Sequence, residues 1–269
     1  MTRPTGPALL SLATEAARAA ATVLLQHHEK AQQGGDLGVH TKSSLTDPVS
    51  VADADSEQTL VKILAAARPD DAVLGEEGAN RQGRSGLRWV IDPLDGTVNY
   101  LYGLRGWAVS VAVEAVDDDG RWRGIAGVVL DPLSDELFAA ADGLATTLND
   151  VAITVREPVD LPMALVATGF SYDRDHRMSQ AGVAGRVLAR ARDVRRVGSA
   201  ALDLCAVAAG RVDAYYEDST RRWDWAAGAV VVRCAGGLTG PLPGGLPGHD
   251  GIIAAGPNLY PQIHDLVTP

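Results

Sequence analysis

One stretch constrains this chain more than any other: Trp89-Val90-Ile91-Asp92-Pro93-Leu94-Asp95-Gly96-Thr97-Val98-Asn99. The apolar run reads as a strand that enters directly into Asp92. Pro93 then removes a ladder donor, so the sequence predicts a turn with Asp92 and Asp95 both near the strand's tip. Gly96 lets the backbone approach a ligand closely, and the N–H groups of Gly96 and Thr97 can face an anion where a helix or turn opens. The same residues also suit an Asx-type turn in which the aspartates only cap backbone groups, and alone they support both readings about equally.

Two further acidic clusters bear on that choice. Gly75-Glu76-Glu77-Gly78 ends the apolar run Val73-Leu74 in the same way, and Asp224 stands between Trp223 and Trp225 where an apolar helix begins. Each alone reads as a solvated turn or a helix cap. Together they place acidic residues where apolar elements start or stop, which is where open α/β sheets carry ligands. Like charges brought to about 4 Å at an effective dielectric near 20 cost on the order of 4 kcal/mol per pair. Three such contacts rival the roughly 5–15 kcal/mol that holds a domain together, so carboxylates that truly converge need a cation. Oxygen donors without His or Cys favour a hard ion such as Mg²⁺ over zinc.

The rest of the chain reads as mixed α and β in two halves, with a boundary near residue 150: 1–150, α+β, and 151–269, α/β. Helices are predicted over Pro7–Lys30, Asp53–Arg68, Ser179–Arg192, Ser199–Ala209 and Trp223–Ala235 from apolar spacing and from the breakers that bound them. Strands are predicted over Ala72–Leu74, Leu87–Ile91, Trp107–Val113, Gly124–Leu130, Ala164–Thr168, Val212–Tyr216 and Ile252–Ala255. Between Gly236 and Gly251, seven glycines and three prolines predict a surface loop. A net charge of −10 repels phosphate backbones and anionic lipid, which argues against nucleic-acid partners. Two cysteines make no disulfide framework, Glu15 and Arg18 interrupt the N-terminal apolar run, and no membrane span is read; a reducing cytoplasm fits.

In order and spacing, Gly75-Glu76-Glu77, Asp92-Pro93-Leu94-Asp95-Gly96-Thr97 and Trp223-Asp224-Trp225-Ala226-Ala227 resemble the signature blocks of the inositol monophosphatase family of Mg²⁺-dependent, lithium-sensitive phosphatases. Lys42-Ser43-Ser44 with Asp53 and Glu57, Gly198-Ser199-Ala200-Ala201, and Asp213-Ala214-Tyr215-Tyr216-Glu217 extend the likeness from about Lys42 to the last strand. The resemblance implies a layered α-β-α-β-α sandwich, a homodimer, and two or three Mg²⁺ ions held between the halves. It implies metal ligation by Glu76, Asp92, Asp95 and the Leu94 carbonyl, with Asp224 joining Asp92 and Asp95 at a second ion. It also implies that the Gly96 and Thr97 amides take phosphate oxygens, while Thr97 Oγ, oriented by Asp53, and Glu76 position and deprotonate the attacking water.

Relatives of such a fold act on inositol phosphate, histidinol phosphate, NADP, fructose 1,6-bisphosphate or 3′-phosphoadenosine phosphates, so the fold leaves the substrate open. Val98-Asn99-Tyr100 resembles the inositol phosphatase version and favours a small phosphorylated polyol, myo-inositol 1-phosphate first. By the same resemblance Gly198-Ser199-Ala200 lines the ring, Glu217 accepts its hydroxyl hydrogen bonds, and Asp95 and Asp224 contribute to substrate binding. Tyr215, Tyr216 and the tryptophans read as packing. Arg221-Arg222 either face solvent or offer a second anion site. A regulatory binding protein on a phosphatase fold is the alternative class, and a complete acidic cage weighs against it.

Overall fold

A computed structural model describes residues 5–36, 38–41 and 48–268; Lys42-Ser43-Ser44 lie outside these. Two sheets alternate with three helical layers, and the sequence supplies a reason for each layer.

Helix α1 (Gly6–Gln32) is amphipathic with an alanine-rich stripe: Leu9, Ala13, Ala16, Ala17, Ala20 and Leu24 are buried. By length and composition α1 could cross a membrane. Instead that stripe lies in a core shared with helix α2 (Val51–Ala67) and with one face of the first sheet. Small residues let the helix axis approach the strands closely, and burying the stripe offsets the entropy of ordering 27 residues.

The short pair β1 (His40–Thr41) and β2 (Pro48–Val49) stands apart. The first sheet takes β3 (Ala72–Gly75), β4 (Asn80–Arg81), β5 (Leu87–Asp95), β6 (Ala108–Val116), β7 (Trp122–Asp131), β8 (Glu136–Ala141), β9 (Thr147–Leu148) and β10 (Val151–Ala152). Its order is β10-β9-β8-β7-β6-β5-β3-β4, antiparallel except where β3 runs parallel to β5. Helix α3 (Thr97–Leu101) follows β5 directly.

The second sheet contains β11 (Leu165–Thr168), β12 (Asp193–Arg195), β13 (Ala214–Thr220), β14 (Leu238–Leu242) and β15 (Asp250–Ala255), in the order β12-β11-β13-β15-β14. Helix α4 (Arg174–Leu188) and helix α7 (Tyr260–Val267) cover its outer face in a core with Val166, Tyr216 and Ile253. Helices α5 (Ala200–Ala208) and α6 (Arg222–Cys234) fill the space between the sheets, where Val90, Val129 and Phe138 of the first sheet share a core with Leu204, Val230, Tyr215 and Ala254. The order of layers, α1/α2, first sheet, α5/α6, second sheet, α4/α7, is the predicted α-β-α-β-α sandwich.

Two predictions need correction. The strand does not stop at Pro93: β5 continues to Asp95 through a register shift, with Asp92 opposite Ser110 and Asp95 opposite Ala108. A bulge accepts the missing donor and re-aims the following side chains. Nor is the glycine- and proline-rich segment all loop, because it carries β14. This is an edge strand, the place in a sheet where Pro241 is tolerated.

Candidate active site

The bulge after Ile91 explains how Asp92 and Asp95 come to face one place. Asp92 Oδ1 accepts the Leu94 N–H at 2.9 Å, so the Asx turn does form. It fixes the bulge and does not exhaust the carboxylate. Ser56 Oγ of α2 donates to the Pro93 carbonyl at 3.0 Å and pins the same turn from behind. Gly96 then adopts φ 94°, and a Cβ there would lie 2.7 Å from the Gly106 carbonyl oxygen. Both the left-handed conformation and the close approach require glycine.

Thr97 opens α3 with its hydroxyl 3.1 Å from Asp53 Oδ1 and 3.1 Å from the Leu94 carbonyl oxygen. The other Asp53 oxygen accepts the N–H and the hydroxyl of Ser50, at 2.9 and 2.6 Å, which closes the N-terminal cap of α2. Asp53 is thus buried and held from both sides. The loop bearing Glu76 is drawn in by Glu57, whose carboxylate accepts the N–H groups of Glu77 and Ala79, each at 2.9 Å.

Asp95 joins the first sheet to the helical layer between the sheets. Its Oδ2 accepts the Ser199 hydroxyl at 2.6 Å and the Ala201 N–H at 2.7 Å, at the N-terminus of α5. Asp224 sits in the first turn of α6 and accepts the Arg221 N–H at 2.7 Å. Helix N-termini favour anions, so two carboxylates are held where backbone dipoles support them.

These elements enclose one cavity of about 510 Å³. Glu76, Asp92, Leu94, Asp95 and Asp224 line it, as do Gly96, Thr97, Gly198, Ser199, Ala200 and Glu217. Asp53 stands behind Thr97. Asp92 is 1% exposed. Burial first, then the charges of Glu76, Asp95 and Asp224, push its carboxyl well above the usual carboxylate range. Burial and the charges of Glu76 and Asp95 raise Asp224 likewise. Asp95 rises to about 6, mainly through burial, although its bonds to Ser199 and to α5 amides oppose the shift.

Buried carboxylates that raise one another's proton affinity are a donor set for a hard cation, and the absence of nitrogen or sulfur donors among them suits Mg²⁺. Among the described residues no three His, Cys, Asp or Glu side chains already form a metal-binding group.

Several members of the site escape sequence reasoning. Glu217 accepts a hydrogen bond at 2.8 Å from the Tyr215 hydroxyl, so Tyr215 does more than pack. A Cβ at Gly169 would lie 1.7 Å from Glu217 Oε2, so this glycine makes room for the carboxylate. Asp203, Arg196, Trp223, Leu246 and His249 also line the cavity, the last two from the glycine- and proline-rich segment. The two neighbouring arginines part company. Arg221 lines the cavity, whereas Arg222 bonds Glu114 at 2.7 Å and lies 4.2 Å over the Trp225 ring. Asn99, a marker of substrate class in the sequence, spends its amide on the carbonyls of Gly106 and Val197, at 2.7 and 3.0 Å.

Comparison with known proteins shows what the whole chain is similar to. The model of the inositol monophosphatase family matches residues 8–268. An inositol-1-monophosphatase of Mycobacterium leprae is 42% identical over 267 residues, covering 93% of this chain and 88% of that one. A protein named Nus factor SuhB from Pasteurella multocida is 37% identical over 267 residues, covering 97% and 96%. The crystal structure of the extragenic suppressor protein suhB from Bartonella henselae superposes with a TM-score of 0.87 at 34% identity, covering 97% of this chain and 98% of that one.

Proposed function

The chain belongs to the inositol monophosphatase family, and from that premise we propose that it hydrolyses a polyol phosphate monoester, myo-inositol 1-phosphate first, with Mg²⁺ as cofactor. The observation that carries this reading is the convergence of Glu76, Asp92, Asp95 and Asp224 on one cavity whose floor is the Gly96-Thr97 turn.

Glu76, Asp92, Asp95 and the Leu94 carbonyl would hold Mg²⁺, with Asp224 joining Asp92 and Asp95 at a second ion. When bound, Mg²⁺ supplies water activation near neutral pH and neutralises charge on the departing oxygen. The chain's own residues do the rest. Thr97 Oγ, tethered by Asp53, and Glu76 orient the attacking water and take its proton. The Gly96 and Thr97 amides receive phosphate oxygens. Gly198, Ser199 and Ala200 form the wall against which the ring rests, and Glu217 accepts its hydroxyls. In this division of labour residues 1–150 supply most metal ligands, while 151–269 supply the ring contacts and Asp224. Two or three ions per site, inhibition by Li⁺, a homodimer and a cytoplasmic location belong to the same reading, on the strength of the family.

Relatives named for a factor and relatives named for the phosphatase stand at similar identity. The buried acidic cage favours catalysis, because a binding module has no use for charges that destabilise its fold.

The test is a phosphate-release panel with Mg²⁺ over inositol 1-phosphate, histidinol phosphate, NADP, fructose 1,6-bisphosphate and 3′-phosphoadenosine phosphate. The highest kcat/KM is expected for inositol 1-phosphate, and Asp95→Asn is expected to lower it by several orders of magnitude with the fold retained. A protein that releases phosphate from none of these, or an Asp95→Asn variant of near-normal activity, ends the reading.

A further inference from the structure

Asp203 lies in the first turn of α5, is 2% exposed, and lines the cavity. Its Oδ1 is buried and has no hydrogen-bond partner among the described residues. Buried acceptors are nearly always satisfied, so an unpartnered oxygen on a side chain that lines the cavity points to a donor supplied from the cavity side. Ser199, four residues earlier, commits its hydroxyl to Asp95, and the Ala201 N–H goes to the same carboxylate. Neither turns to Asp203.

Across the cavity wall stands Glu217 of β13, the strand against which α5 packs. Tyr215 supplies one donor to Glu217, and the charge of Glu217 acts on Asp203. The cavity wall therefore carries two acidic side chains close enough to act on each other electrostatically. Burial pushes both carboxyls above the usual carboxylate range, and a phosphate group brings only further acceptor oxygens to them, so the anionic end of the substrate is placed at the Gly96-Thr97 turn instead. An ammonium group would be attracted, but the Arg196 guanidinium at the same cavity already opposes the charge of both carboxyls. Neutral hydroxyl donors remain, and two acceptors suit two of them.

Resting on the polyol reading above, we propose that Asp203 is a specificity-determining residue that, together with Glu217, accepts hydrogen bonds from neighbouring hydroxyl groups of the substrate's polyol half. A site that hydrogen-bonds substrate hydroxyls rejects the analogue lacking them, because its own buried acceptors are then left unpaired. The competing account of Asp203 is structural, a first-turn acid that stabilises α5. The two accounts predict opposite changes in stability. An unpartnered buried carboxyl is a burden on the fold, so its neutral replacement leaves Tm unchanged or higher. A helix-stabilising acid lowers Tm when lost.

The experiment compares kcat/KM on inositol 1-phosphate and on cyclohexyl phosphate, the same ring without hydroxyls, for wild type, Asp203→Leu and Asp203→Asn in the full Mg²⁺-loaded enzyme. The expected result is a preference for inositol 1-phosphate that falls at least tenfold in Asp203→Leu, chiefly through KM, and about threefold or more in Asp203→Asn, whose amide oxygen accepts more weakly than a carboxylate. The Tm of Asp203→Asn should equal or exceed that of wild type. Should Asp203→Leu fail to fold, the Asp203→Asn ratio decides. A ratio that stays within 1.5-fold of wild type in Asp203→Asn overturns the assignment, and so does a loss on histidinol phosphate larger than the loss on inositol 1-phosphate. A wild type without preference for inositol 1-phosphate removes the polyol reading and Asp203's role with it, whereas a preferring wild type whose ratio the variants do not move removes Asp203 alone.

Discussion

Ser199 Oγ donates to Asp95 Oδ2 at 2.6 Å although the two residues are 104 positions apart in sequence, one at the end of a strand in the first sheet and the other capping a helix of the middle layer. The bond fixes the rotamer of a carboxylate proposed to hold Mg²⁺. Groups that orient metal ligands typically account for 10–100-fold in metal affinity or activity. Ser199→Ala should therefore raise the Mg²⁺ concentration giving half-maximal phosphate release by about 10–100-fold, with a smaller change in rate at saturating Mg²⁺. An unchanged Mg²⁺ midpoint would show that the Ala201 amide suffices to hold Asp95.

Such a contact is invisible along the chain. Asp92, Asp95 and Gly96 were legible because an apolar strand, a proline and a glycine are local signals with local causes. Glu76 and Asp224 were legible for the same reason, at the edges of apolar runs. What Pro93 does depends on the partner strand, which accommodates it by a bulge opposite Ser110 and Ala108 and not by breaking the ladder. The strand Leu238–Leu242 was hidden because its edge position, not its composition, permits Pro241 and its glycines. Asp203 carries no signal of its own within the predicted helix Ser199–Ala209, and Tyr215 reads as packing. Their neighbours across the cavity, which no spacing reveals, make them part of the site.

Thr97 offers a sharper test of the chemistry. Its hydroxyl lies within 3.1 Å of both Asp53 Oδ1 and the Leu94 carbonyl oxygen, so one group links the proposed proton path to a proposed ligand. Thr97→Val keeps the shape and removes the hydroxyl. Positioned proton transfer contributes on the order of 10²–10⁴ in rate, so kcat should fall within that range while KM changes little. Thr97→Ser should recover most of the loss. A valine variant with kcat within threefold of wild type would exclude Thr97 from the water's path.

Two carboxyls of the site should make their contribution to stability fall as pH rises. Burial, with the charge of Asp95 adding to it, raises Glu217 to about 7 despite the bond from Tyr215, and burial raises Asp95 to about 6. Both folded-state values exceed the ordinary ones of 4.5 and 3.8, so the folded protein binds these protons more tightly than the unfolded chain. Their contribution is fully present below about pH 4 and is lost as pH rises through 6 and 7. In EDTA, Tm should fall by several degrees between pH 5 and pH 8, beyond the general trend of the remaining groups. Glu217→Gln should flatten the upper part of that fall, and saturating Mg²⁺ should flatten the part due to Asp95. Melting curves across pH for the two proteins decide it, and parallel curves would remove Glu217 as the source.

Glu57 gives the last case, a residue that touches no substrate and yet sets the site. Its two carboxylate oxygens take the N–H groups of Glu77 and Ala79, which follow Glu76 in the turn. Gly75 is pressed so close that a Cβ there would lie 2.2 Å from Glu57 Oε2, so the turn is fitted to the carboxylate. Replacing Glu57 by Ala releases both amides and the anchor of the turn. Leaving donors without their charged partner costs about 1–3 kcal/mol, which in a chain of this size lowers Tm by several degrees. If the anchor also places Glu76, the Mg²⁺ midpoint should rise together with the loss of Tm, and Glu57→Gln, which keeps one acceptor, should fall between the two. A variant that melts earlier but activates at the wild-type Mg²⁺ concentration would show that the turn holds Glu76 without Glu57.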